Sequence, residues 1–129
     1  MKKSIGIIIV VLVLIALCVS ESLMVNNTIS HMREISENLY NLSATAENVN
    51  TEEIITKTDA LLEYWKEKEA MLCFFINYKD MSEMSNELVR MTSYAKDNIK
   101  EEYVASLNLL LYYCDTFDHI TGFSINNIF

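Results

Sequence analysis

Asp115 and His119 stand four residues apart, a spacing that puts both side chains on one helix face, where they could share a metal ion. A third ligand is missing there: Asp118 is the nearest carboxylate and falls on a different face. A solvated polar helix end is the simpler expectation. Cys114 beside His119 could imitate a nucleophile and its base, yet no third residue is at hand to orient them. The remaining histidine, His31, belongs to a different helix. Gly-rich phosphate loops, histidine-glutamate zinc motifs and nucleophile elbows are absent from the sequence. The expectation is a protein that is not an enzyme, with no cofactor, no bound metal and no small-molecule substrate identified.

Other residues could recognise rather than react. Trp65 is the only tryptophan and sits at a helical core position, which makes it a packing centre before a ligand stack. Met81, Met84 and Met91 recur with Leu88 and Ala95 on one stripe, flanked by Tyr94. Core packing is the first expectation for them, and an adaptable binding groove the second. Tyr112 and the terminal Phe129 complete the candidates for an interaction or core surface. Cys18 falls in an apolar run, whereas Cys73 and Cys114 fall in separate helical stretches. A small buried apolar role is expected for cysteine, with a Cys73–Cys114 disulfide as the alternative. Two matches to the glycosylation pattern, at Asn26 and Asn41, are expected by chance in so asparagine-rich a chain.

The elements that must position these residues are helices. The 129 residues include no proline, and the two glycines are Gly6 and Gly122. An antiparallel sheet spends both residue types on its turns, so long helices joined by polar corners are expected. Val25, Ile29, Met32, Ile35, Leu39, Leu42 and Ala46 trace one helical face up to about Glu47. After a corner at residues 48–51, capped by Asn50 or Thr51, a second helix carries Ile54, Ile55, Thr58, Leu61, Leu62, Trp65, Leu72 and Ile76. A second corner at residues 77–80 places Asp80 and Glu83 at capping-box spacing ahead of the methionine stripe. A turn near Asp97 and Asn98 leads to a fourth helix over about 100–120, with Ala105, Leu109, Tyr112, Thr116 and Ile120 on its apolar face and Leu110, Tyr113 and Phe117 beside it. Gly122 is a natural stop, and the apolar residues 123–129 are expected to fold back on the bundle.

Ile5 to Val19 is unbroken apolar sequence behind Lys2 and Lys3. As a helix, those residues rise about 22 Å, against a bilayer core of roughly 30 Å. A cleaved secretory signal fits the charge and the apolar run, but small residues are poorly placed for cleavage. A lipoprotein signal at Cys18 is opposed by the bulky Leu17. An uncleaved anchor is favoured, since Leu23, Met24 and Val25 add apolar length and Glu21 can reach the headgroups. The two lysines place the N-terminus inside and the remainder outside the cell membrane, as a single-pass protein. The charge of −8 is carried asymmetrically, because all 18 acidic residues follow the apolar run. An acidic surface of this kind argues against nucleic acid as a partner.

The fold class expected is all-α: an N-terminal transmembrane helix continuing into a small antiparallel helical bundle of three to four helices. Residues 1–25 form the anchor and 26–129 the extracytoplasmic bundle. Lys2-Lys3 with the apolar run, Trp65-Lys66, Glu87-Leu88-Val89-Arg90 leading to Tyr94, Ala105 to Leu110, and terminal Asn127-Ile128-Phe129 together resemble a bacterial family, domain of unknown function 4363. The chain departs from the family in ending on Phe rather than Leu, and in carrying Tyr78 where a histidine is expected in many relatives. The resemblance implies a short membrane-attached helical protein, of the type found in clostridia and relatives, and brings no catalytic residues. A non-enzymatic module of the cell envelope that binds another membrane or envelope protein is the leading expectation. A ligand-sensing bundle acting through a membrane partner is the alternative.

Overall fold

The computed structural model describes residues 2–128 except Phe74 and Phe75, and the side chains as far as Phe117. It contains four helices in chain order: α1 (Lys2–Thr45), α2 (Glu52–Leu72), α3 (Tyr78–Lys96) and α4 (Lys100–Ile128). Helix α1 packs on α2 and α4, and α3 packs on the same two, so neighbours run antiparallel around one core. Among the described residues no strand interrupts this pattern.

All four core seams repeat at alternating steps of three and four. Buried positions are Val25, Ile29, Met32, Ser36, Leu39 and Ser43 on α1, and Ile54, Thr58, Leu61, Trp65 and Leu72 on α2. Met81, Met84, Leu88, Met91 and Ala95 line α3, while Tyr103, Leu107, Leu110, Cys114 and Phe117 line α4. Such a repeat averages about 3.5 residues and keeps each seam facing its partners when helices pack at a shallow left-handed angle. It also corrects the expected path along α1. Ser36 and Ser43 lie in the core where the apolar pattern skipped them, while Ile35 and Ala46 are only half-buried. Two of the buried hydroxyls on α1 bond back to their own helix, Thr28 donating to the Met24 carbonyl (2.8 Å) and Ser43 to that of Tyr40 (3.2 Å), whereas Ser36 Oγ has no hydrogen-bond partner among the described residues.

At the first corner it is Thr51 rather than Asn50, of the two caps expected, that holds the start of α2, accepting from the Ile54 amide at 3.3 Å. Helix α3 starts earlier than expected. Asn77 caps it by accepting from the Lys79 amide (2.7 Å), and Asp80 lies inside the first turn, where its charge suits the helix dipole. Asn98 adopts a left-handed backbone (φ 57°), the conformation asparagine tolerates best among non-glycine residues. Its side chain joins the two corners at this end of the bundle, accepting from the Val49 amide and donating to Asn48, both at 2.9 Å. Lys100 donates to the Ala46 carbonyl at 2.6 Å, placing a cation on the negative end of α1. Helix α4 does not stop at Gly122 but runs on to Ile128.

Tyr103 supplies a polar link between α4 and α2 inside the core. Thr58 spends its own proton on the Ile54 carbonyl (2.6 Å), so the Tyr103 phenol donates to Thr58 at 2.7 Å. Burial pushes this phenol above the usual tyrosine range. The folded chain therefore holds the proton to higher pH than the unfolded one, which ionises near about pH 10. That stabilisation is complete below about pH 10 and is lost as pH climbs through the raised value. Tyr103→Phe should cost about 1 kcal/mol at neutral pH and flatten the decline above about pH 10. Urea titrations followed by circular dichroism at stepwise pH would show it, and an unchanged alkaline slope would contradict it.

Candidate interaction surface

Helix α1 has two environments along one unbroken rod of 44 residues, about 66 Å long. From Lys2 to Met24 every residue but the half-exposed Ser22 is exposed, and its Ile, Val and Leu side chains point outward on all sides. From Val25 onward one face is buried by α2 and α4. A helix apolar all round and uncovered by protein is long and apolar enough to cross a membrane.

Within the bundle, the candidates separate by burial. Trp65, Met81, Met84 and Met91 are all 1% exposed or less, so they are core and offer nothing to a partner in this conformation. The Trp65 indole N–H donates to Ser85 Oγ at 2.7 Å, and Ser85 donates in turn to the Met81 carbonyl (2.9 Å), with a Glu69 carboxylate oxygen 3.2 Å away. Tyr94 is half-buried against the core. Tyr112 is 64% exposed. Phe129 and the side chains of Asp118 and His119 lie outside the described residues, as do the side chains of the tail that was expected to fold back. Asp115 forms a 2.9 Å ion pair with Arg33 across the α1–α4 contact. Cys114 is in the core, whereas Cys18 and Cys73 are exposed.

The face expected to be the core side of α4 points outward. Ala105, Leu109 and Tyr112 form an exposed row, opposite the buried seam of Tyr103, Leu107, Leu110 and Cys114. Polar contacts fix that rotation. On the α3 side, Ser106 donates to the buried Glu87, which also pairs with Arg90 at 3.0 Å. Tyr113 donates to Glu83 at 3.0 Å, and its phenol is raised first by burial and then by this carboxylate. The Arg33–Asp115 pair holds the α1 side. Glu87 and Ser106 were invisible as core positions, because polar residues count against burial in any hydrophobic pattern.

A second surface feature is a groove of about 470 Å³ between α1 and α2, lined by His31, Glu34, Asn38, Lys57, Leu61 and Tyr64 among others. His31 meets the Tyr64 ring edge-on at 4.6 Å between centroids, and Lys68 Nζ lies over that ring, 5.7 Å from its centroid. Lys57 reaches Asn38 (3.4 Å) and Glu53 (3.2 Å). Among the described residues, no three acidic, histidine or cysteine side chains gather to hold a metal ion.

These features define a class: a four-helix bundle continuous with an exposed apolar N-terminal helix, its α4 showing a small apolar row outward. Residues 23–128 match the family described as Domain of unknown function (DUF4363), and the chain belongs to it. The match begins two residues before Val25, the first buried side chain, and so covers the bundle. No curated protein and no solved structure matches the chain.

Proposed function

We propose that this protein is a non-enzymatic interaction module, held in the cell membrane by residues 2–24 and displaying its bundle outside the cytoplasm. The single observation behind the proposal is the continuous α1, whose uncovered apolar half leads without a break into a filled bundle. Lys2 and Lys3 favour retention of the N-terminus inside. The partner is another membrane or envelope protein, and the outward row Ala105, Leu109 and Tyr112 is its docking surface. An exposed aromatic beside smaller apolar side chains is the composition that anchors interfaces.

Site-specific photocrosslinking in native membranes tests this. A benzophenone residue replacing Tyr112 should capture one membrane or envelope protein reproducibly, whereas the same probe at the exposed Glu67 on α2 should not. Failure to recover any partner from position 112 would remove the interaction reading.

The α1–α2 groove supports a second reading, a ligand-sensing bundle that signals through a membrane partner. Its mixed lining of carboxylate, amide, amine and aromatic groups suits a small polar ligand rather than a protein face.

A further inference from the structure

We propose that the end of α2 and the start of α3, at Cys73, Tyr78 and Lys79, rest in the headgroup layer of the outer leaflet, so that the bundle sits on the membrane rather than standing off it. This rests on the reading of α1 as a membrane span. The register between α1 and α2 supplies the geometry. Asn38 lies opposite Lys57, and His31 opposite Tyr64, so a step of seven up α2 matches a step of seven down α1. Nine further residues bring α2 to Cys73 and α1 to Ser22. A hydrocarbon core of about 30 Å needs about 20 helical residues, which places its outer boundary near Met24 when it begins at Ile5. Cys73 therefore lies at the level where α1 leaves the lipid.

The chemistry of the corner agrees with that level. Among the described residues there, Cys73, Ile76 and Tyr78 are apolar or aromatic. The corners at the other end, Glu47-Asn48-Val49-Asn50-Thr51 and Asp97-Asn98-Ile99, are mostly polar or charged. Cys73 is exposed, and Tyr78 is 79% exposed with Lys79 exposed beside it. Tyrosine next to lysine suits an interface, where the ring sits among headgroups and the ammonium meets phosphate. The exposed apolar surface of α1 continues to this level, so the lipid that covers α1 is already adjacent.

Spin-label accessibility on the full chain in phosphatidylcholine–phosphatidylglycerol nanodiscs tests the proposal. Single labels go on native Cys73 in a Cys18→Ala chain, and on Tyr78→Cys, Leu12→Cys and Thr51→Cys in a chain also carrying Cys73→Ala. Labels at 73 and 78 should collide severalfold less with a water-soluble nickel chelate than the label at 51, and more with oxygen. The label at 12 should be shielded from nickel throughout. Equal nickel access at 73, 78 and 51, with 12 still shielded, overturns the seating and leaves the span intact. Nickel access at 12 overturns the span itself, and the seating with it.

Discussion

Replacing Trp65 by alanine should remove about 3–5 kcal/mol from the stability of the bundle. The side chain is wholly buried and is the largest in the core, so truncation leaves a void that α1, α3 and α4 cannot close without losing their own seams. A domain of this size holds only about 5–15 kcal/mol in total. The melting temperature should therefore fall by roughly 12–40 °C, measured on the full chain in detergent by the loss of helical circular dichroism. Trp65→Phe separates packing from hydrogen bonding. It keeps an aromatic ring but loses the indole N–H to Ser85. Ser85 still donates to the Met81 carbonyl, so no buried donor is orphaned, and the cost should stay near about 1–2 kcal/mol. An alanine variant within about 1 kcal/mol of the parent would mean that Trp65 is not the packing centre its burial implies.

Helices α2 and α3, and α1 beyond Val25, were readable because their apolar residues fall largely on one side. The stripe Met81, Met84, Leu88, Met91 and Ala95 has charged or polar neighbours on the opposite face, and it is buried as a unit. Helix α4 was not readable in the same way. Leu107, Leu109, Leu110, Leu111, Tyr112 and Tyr113 surround its axis, so apolar content alone does not select a face. What selects it is contact from outside the helix: Glu87 accepting from Ser106, Glu83 from Tyr113, and Arg33 pairing with Asp115. Each joins residues distant in sequence, and no local pattern encodes them. The candidate surface was therefore named in part, through Tyr112, but assigned to the wrong side of its helix. The repeat of 3.5 would have helped, since it puts Tyr103, Leu107, Leu110, Cys114 and Phe117 on one seam and leaves Ala105, Leu109 and Tyr112 outside. Gly122 misled for a different reason. Glycine ends helices by adopting a left-handed conformation, but it is also tolerated within them at a cost of about 1 kcal/mol, which helix α4 accepts.

The continuity of α1 has a mechanical consequence. Asn98 ties the α3–α4 corner to Asn48 and Val49, and Lys100 closes the end of α1. The far end of the rod is thus locked to both distal corners, while its near half is uncovered. Tilt or rotation of the lower helix would be carried into the bundle as a rigid-body movement, because no glycine, proline or non-helical residue lies between Ile7 and Thr45 to absorb it.

Two aspartates in the middle of the apolar run should release the protein from the membrane, while one should not. Between Ile5 and Val19 stand 12 Ile, Val and Leu residues. At about −0.3 to −0.6 kcal/mol each, they favour insertion by roughly 4–7 kcal/mol. A central Leu12→Asp reverses about 3–4 kcal/mol of this, counting the lost leucine, and leaves insertion balanced or still favourable. Adding Ile9→Asp brings the total penalty to about 6–8 kcal/mol, enough to cancel the whole driving force. Carbonate extraction of membranes should then find the single variant largely in the pellet and the double variant in the supernatant. The bundle itself should survive, since its first buried side chain is Val25 and neither substituted position contacts the core. Unchanged tryptophan fluorescence from Trp65 in the extracted double variant would confirm that only the membrane attachment was lost. If the double variant resists extraction as well as the parent, residues 2–24 are not what holds the protein there.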